Sequence, residues 1–235
     1  MTPIIDENIN KYVIIISRSK KMTNMTDSIR ILLKAYGGEL SLDKIMIILA
    51  KKDDKLREEI KQTIPELLSA KLIIQTGEDT YKTACEQKPN YFFVFQNNSY
   101  QEEQKASCLF CSHSPDNHTV AHWESIDEVR KGDIIFHECG NSIVSISEVQ
   151  TEARDAIRPY PYKGRDPDSG RKIETMYVNL KTQVDPLNLK DALYPAQPEK
   201  VAPFNKNGKG NEGYLFYFNE ACAKIIIEGI IKNFR

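Results

Sequence analysis

Lys131-Gly132-Asp133-Ile134-Ile135-Phe136-His137-Glu138-Cys139-Gly140-Asn141-Ser142-Ile143-Val144-Ser145-Ile146-Ser147-Glu148-Val149 reads as a strand, a tight glycine turn and a second strand. Branched and aromatic side chains favour a pleated, half-buried surface, and Gly-Asn supplies the positive φ that a short hairpin turn needs. Upstream, the aromatic run Tyr91-Phe92-Phe93-Val94-Phe95 is a further strand, and downstream Met176-Tyr177-Val178-Asn179-Leu180 is another. The chain closes on a helix from Asn219 to Ile231, with Cys222, Ile225, Ile226 and Ile230 on its buried side. Strands with a few helices predict a small, partly open β-barrel with helices on its rim.

Before residue 90 the pattern changes to helical. Thr26-Asp27-Ser28 offers a cap for a helix carrying Ile29, Leu32, Leu33 and Tyr36, which Gly37-Gly38 stops. Ser41-Leu42-Asp43 opens a second helix with Ile45, Met46, Ile48 and Leu49. A third carries Leu56, Ile60, Ile64, Leu67 and Leu68, with Pro65 expected to kink or restart it. Two short strands around Gly77-Glu78-Asp79 follow. Three helices and a small hairpin are the order of a winged helix, whose third helix usually enters the DNA major groove. The charge is balanced: residues 1–90 hold 15 Lys/Arg and 13 Asp/Glu, and Lys51, Lys52, Lys55, Arg57 and Lys61 interleave with Asp53, Asp54, Glu58 and Glu59. The same face therefore also reads as a solvated surface of a packing module. The fold class is α+β, with a unit at 1–88 and a second at 89–235; Thr83–Pro89 is the linker between them and Tyr194–Pro203 a linker inside the second.

Composition narrows the function. In 235 residues, 32 Lys+Arg against 33 Asp+Glu leave a net charge of -1, which excludes a binder that works by bulk positive charge. No apolar run approaches the roughly 18–20 residues that span a bilayer, so no membrane partner is expected. Five scattered cysteines argue against a disulfide framework and for a reducing, cytoplasmic setting. Neither a P-loop nor a nuclease signature is present, so no catalytic residue, cofactor or metal is assigned and the chain reads as a binding protein, not an enzyme. Cys108-x-x-Cys111 with His113, His118 and His122 has the residue types of a zinc site, but one pair without a second is a weak signal.

Four blocks in order carry a resemblance: Tyr91-Phe-Phe-Val-Phe-Gln-Asn; His122-Trp123-Glu124; Val129-Arg-Lys-Gly-Asp-Ile-Ile-Phe-His137; and Pro203-Phe-Asn-Lys-Asn-Gly-Lys-Gly-Asn-Glu-Gly-Tyr-Leu-Phe216. Together they resemble the EVE/YTH-like branch of the PUA superfamily, closest to the versions attached to modification-dependent restriction proteins. The resemblance spans about Tyr91 to Ile231. It implies a small PUA-like barrel with flanking helices that holds one flipped base in an aromatic pocket, where stacking and edge hydrogen bonds distinguish a modified base from its parent. It also implies a prokaryotic defence role, with modified DNA (or RNA) as partner and a separate nuclease or ATPase subunit supplying cleavage.

By the same resemblance, Gln96, Asn97 and Asn98 are polar contacts to base and sugar. Phe110 is a cage wall standing where the family usually has tryptophan, with Cys111 and Ser112 accepting from the base edge. Tyr160 and Tyr162 supply the second aromatic, on a loop stiffened by Pro159 and Pro161. Trp123 is a wall or a structural ring beneath the pocket, and Asn205 lies at the nucleic-acid face. Lys206 and Lys209, and Lys163 and Arg165 in a second basic zone with Arg158, Arg171 and Lys172, are phosphate contacts. Asp133 and His137 read as polar core residues. A different class of function also fits: a winged-helix transcriptional regulator whose barrel senses a nucleotide or other small ligand.

Overall fold

The computed structural model describes residues 24–113, 121–162, 164 and 168–234, with the side chains of 121–124 left aside. The N-terminal elements are α1 (Met25–Tyr36), β1 (Leu40–Ser41), α2 (Leu42–Leu49), α3 (Asp54–Ser69), β2 (Ile73–Gly77) and β3 (Thr80–Thr83). The three strands form an antiparallel sheet in the order β1-β3-β2. The cap of α1 is Asn24, whose side chain accepts from the Asp27 amide, so the Thr26-Asp27-Ser28 cap predicted above falls inside the helix instead. Gly37 ends the helix at φ 64°, where an L side chain is strained. Pro65 does not divide α3: the helix runs from Asp54 through Ser69. Pro65 and Lys61 are both exposed, so the carbonyl that the missing amide leaves unbonded lies on the solvent side of the helix.

The second part holds β4 (Tyr91–Phe95), α4 (Tyr100–Lys105), β5 (Cys108–Ser112), α5 (Ala121–Glu128), β6 (Ile134–Cys139), β7 (Ser142–Val149), β8 (Arg154–Ile157) and β9 (Ser169–Val184). After a short 3-10 turn come α6 (Lys190–Ala196), β10 (Leu215–Phe218) and α7 (Glu220–Asn233). The expected linker Tyr194–Pro203 thus begins inside α6, with Pro195 in its last turn. The strands form one curled sheet in the order β10-β4-β6-β7-β9-β5, with β8 also on β9. β4 and β6 are parallel; the other pairs are antiparallel. The long strand β9 gives the sheet its curl, because its first part pairs with β5 and β8 and its second part with β7. The protein is an α+β fold with a half-barrel sheet.

Both faces of this sheet are buried, and the alternation along β4 shows how. Phe92 and Val94 point to one side with Leu109, Cys111, Ile126, Ile135, Ile173 and Leu215. Tyr91 and Phe93 point to the other, where Phe136, Phe218 and Ile226 continue without a break into Ile29, Leu33 and Ile48 of the N-terminal helices. The two sequence units therefore share one apolar cluster. Polar ties reinforce the junction: Thr182 Oγ1 donates to the Ile47 carbonyl at 2.6 Å, Tyr36 donates to Glu228 at 2.7 Å, and Arg30 and Lys34 reach Glu148 at 2.7 and 2.9 Å. Among the described residues, no helix is long and apolar enough to cross a membrane.

Candidate functional site

Two strands and one loop build the site. Along β5, side chains alternate: Leu109 and Cys111 enter the barrel core, while Cys108 and Phe110 face the other way and meet Tyr160. Cys108 and Cys111 therefore project from opposite faces of one strand and cannot chelate one ion together. No group of three or more His, Cys, Asp or Glu suited to a metal occurs among the described residues. β9 runs beside β5 with Gly170 opposite Ser112. A Cβ at residue 170 would lie 2.2 Å from the Cys111 carbonyl oxygen and 2.7 Å from the Phe110 ring, so glycine is what allows the strand to press against that ring.

The loop after β8 brings Arg158, Tyr160 and Tyr162 onto the same spot. The Arg158 guanidinium carbon lies 4.6 Å from the Phe110 ring centre, 4.0 Å from that of Tyr162 and 5.7 Å from that of Tyr160. The Phe110 and Tyr160 rings meet edge to face at 6.5 Å. Arg158 also donates to Ser112 Oγ at 2.7 Å and lies 3.4 Å from Asp168, and its side chain is only 5% exposed. Phe110, Tyr160 and Tyr162 thus form a three-sided aromatic cage, and the cage is filled by the guanidinium of the chain's own Arg158.

Beneath the cage lies a buried polar network that holds Tyr160 in place. Glu103 on α4 is fully buried and accepts from Tyr160 Oη at 2.8 Å, from the Phe110 amide at 3.0 Å, from Ser99 Oγ at 3.0 Å, and from Tyr214 Oη and Gln96 Nε2. Burial pushes its carboxyl above the ordinary range, opposed by the Tyr214, Gln96, Phe110 and Tyr160 donors. From Gln96 the chain continues inward. Because its amide nitrogen donates to Glu103, its Oε1 accepts from His137 Nδ1–H at 2.6 Å, and His137 Nε2 then accepts from Ser147 Oγ at 2.7 Å. Burial lowers the His137 pKa to about 3, so the ring is neutral at physiological pH. Burial also raises the Tyr160 hydroxyl, reinforced by Glu103, and the Cys108 thiol is pushed up to about 12, which leaves it a thiol and a poor nucleophile.

The structure divides the sequence-predicted pocket residues. Phe110, Tyr160, Tyr162 and Ser112 come together at the cage, and Cys111 lies behind it in the core. Gln96 is 1% exposed and serves the network rather than the surface. Asn97 accepts from the Gly140 amide at 2.8 Å and so braces the β6–β7 turn; Asn98 is exposed. Asn205 turns its side chain into its own loop, accepting from the Asn207 and Lys209 amides at 2.9 and 3.2 Å. Asn205 and Lys206 line a different, open cavity of about 780 Å³ with Tyr194, Phe204, Glu212 and Phe216; Lys209 is exposed. Lys163, Arg165, His118 and the side chains of Trp123 and His122 lie outside the described residues. In the second basic zone, Arg171 is paired with Asp127 at 2.6 Å and Asp155 at 3.0 Å, and Lys172 is 3.7 Å from Glu174. Asp133, as read from the sequence, is polar core, accepting from the Asn90 and Arg130 amides at 2.9 and 2.8 Å.

Three participants escaped the sequence reading. Glu103 sits on a six-residue helix with too little periodicity to mark a buried face. Arg158 was read as one of several surface cations. Lys181 joins Lys51 and Lys52 along an open cleft of about 440 Å³ where the N-terminal helices meet β9 and the end of α7. Lys181 lies where β9 slips register against the partner strand between Ile143 and Ser145, and its closeness to Lys51 and Lys52 is a tertiary feature that no local pattern announces.

No protein-family model matches the chain, and no curated protein matches it. Solved structures overlap with part of the chain at low similarity. A protein from Rhodopseudomonas palustris is 19% identical with a TM-score of 0.40, the match covering 60% of this chain and 94% of that one. A hypothetical protein from Leishmania major is 12% identical at 0.43, covering 63% and 98%. A protein from Pseudomonas putida is 11% identical at 0.43, covering 60% and 99%. Overlap at this level bears on neither mechanism nor partner.

Proposed function

We propose that this protein binds nucleic acid and recognises a modified base, held out of the stack in the cage of Phe110, Tyr160 and Tyr162. The observation that carries the reading is the convergence of these three rings on one flat, delocalised group, the Arg158 guanidinium, 4.0 to 5.7 Å from their centres. A guanidinium and a nucleobase are both flat and delocalised, so rings that contact the one have faces on which the other can stack. Ser112 Oγ at its edge supplies the hydrogen-bonding partner that distinguishes one base edge from another. In this reading the half-barrel is the EVE/YTH-like PUA barrel anticipated from the sequence. We read the order α1-β1-α2-α3-β2-β3 with its β1-β3-β2 sheet as a winged helix; the element order supports that reading. The exposed face of α3 and the lysine cleft at the junction contribute phosphate contacts.

The protein acts by binding alone. Glu103 and His137 are held in a buried hydrogen-bond network that runs through Gln96, and cleavage in a defence setting falls to a separate nuclease or ATPase subunit. The test is equilibrium binding of the full chain to oligonucleotides that differ by a single base modification. Preferential binding of a modified oligonucleotide, lost on Tyr162→Ala with the melting curve unchanged, is the expected result. Equal affinity for all of them refutes the reading.

A further inference from the structure

The cage is not open in this structure, and its occupant is informative. Arg158 is a planar cation with N–H donors on its rim. It meets groups that complement it: the faces of Phe110, Tyr160 and Tyr162, the hydroxyl of Ser112 at 2.7 Å and the carboxylate of Asp168 at 3.4 Å. The fully buried Glu103 lies one hydrogen bond further out, accepting from Tyr160 Oη at 2.8 Å. A base that enters must displace Arg158 and inherit these surroundings. A neutral base forfeits the cation–π contacts and leaves Asp168 without its partner in the slot, whereas a base carrying delocalised positive charge restores both.

We infer that Arg158 is the resting occupant of the cage and that the ligand which replaces it is a cationic, ring-nitrogen-methylated nucleobase of the 1-methyladenine or 3-methylcytosine class. The inference deepens the base-recognition reading above and rests on it. Methylation at those ring nitrogens both places a charge on the ring and blocks Watson–Crick pairing. Such a base therefore leaves a duplex at lower cost than a paired one. The exchange is self-selecting: a neutral base forfeits contacts that the guanidinium makes, while the cationic base recovers them on the same faces.

The experiment uses the full chain and three single-stranded oligonucleotides of one sequence, with 1-methyladenine, N6-methyladenine or adenine at the central position. Single strands remove the pairing cost, so fluorescence anisotropy reads the slot itself. The expected result is binding of the cationic base about tenfold or more tighter than its neutral isomer. Arg158→Ala, checked for folding by its melting curve, is expected to tighten both methylated oligonucleotides and to retain the order. If that variant does not fold, Arg158→Gln keeps the length without the charge, and the wild-type comparison stands by itself. N6-Methyladenine binding as tightly as 1-methyladenine, with both above adenine, overturns the inference and leaves the proposed function intact. No preference over adenine for either overturns both. Weaker binding by the Arg158 variants shows that the guanidinium is part of the ligand's own surroundings and overturns the displacement. Tighter binding of a peptide bearing dimethylarginine than of any oligonucleotide overturns the choice of a base as the occupant.

Discussion

Replacing Glu148 by glutamine removes the charged link between the N-terminal helices and the half-barrel, and the structure sets the size of the effect. Glu148 on β7 is 7% exposed and accepts from Arg30 through both carboxylate oxygens, at 2.9 and 2.7 Å, and from Lys34 at 2.9 Å. Burial alone would raise its pKa, but the Arg30 and Lys34 hydrogen bonds and charges outweigh it and hold the carboxyl at about 2, against an ordinary 4.5. At about 1.4 kcal/mol per unit, this shift corresponds to roughly 3 kcal/mol of stability. The sign follows from the depressed value. The contribution is complete above the unfolded pKa, and it is lost as pH falls toward the folded one. Glu148→Gln is therefore expected to cost about 3 kcal/mol at pH 7, and the gap from wild type is expected to shrink below about 1 kcal/mol near pH 2. Urea denaturation of both proteins at several pH values from 7 to 2 measures it. Other titrating groups, His137 included, are common to both chains and cancel in the difference. A gap that stays constant over that range, or that is already under about 1 kcal/mol at pH 7, refutes the assignment of the charge link as the stabilising element.

The remaining expectations concern the cage and its support. His137 has a folded pKa of about 3 against an ordinary 6.5, so the unfolded chain takes up a proton that the folded chain refuses. Stability is complete above pH 6.5 and declines as pH falls toward 3, and His137→Gln should flatten that decline in a pH series of denaturation curves. Gly170→Ala places a methyl 2.2 Å from a backbone oxygen and 2.7 Å from the Phe110 ring, so it should cost on the order of 2 kcal/mol in a denaturation midpoint and displace the ring, weakening ligand binding as well. Glu103→Ala leaves the Tyr160 and Tyr214 hydroxyls and the Phe110 amide without their acceptor. A loss of about 3 kcal/mol or more is expected, with a change in tyrosine absorbance; a fully stable variant would show that the network does not hold the loop.

Much of the architecture was legible before any coordinates, for reasons that differ along the chain. The Gly140-Asn141 hairpin announced itself because both residues adopt positive φ, 61° each, in a turn where few other pairs are tolerated. The terminal helix was legible from its apolar stripe; read as Asn219 to Ile231, it runs from Glu220 to Asn233 with Asn219 as its cap. α2 and α3 were readable from periodicity, yet the effect of Pro65 was not, since whether a proline breaks a helix depends on what faces the orphaned carbonyl. β10, with only four residues, and α5 have no local signature, because both exist by packing against strands far away in sequence. The cage is an intermediate case. Phe110, Tyr160 and Tyr162 were singled out by the family resemblance. What fills the space between them was not, because the partner set of an arginine is a tertiary property that a surface-charge reading assigns to solvent.

This last difference changes what the site means. Three aromatic residues on a strand and a loop describe an open receptor, to be judged by stacking alone. With Arg158 between them the receptor is already satisfied, and every ligand is measured against a guanidinium that is covalently attached and always present. An attached competitor acts at a high effective concentration, so a weak, generic stacking ligand cannot occupy the slot even when abundant. Discrimination then comes from the identity of the plug as much as from the walls: the side chain that must leave sets the charge and the donor pattern that an incoming base has to match. The buried Glu103 network serves this arrangement by holding Tyr160 Oη, which donates to Glu103 at 2.8 Å, so that the ring keeps its place while Arg158 moves. The site therefore divides into a fixed part, Phe110, Tyr160 and Glu103, and an exchangeable part, Arg158, and selectivity lies in the exchange.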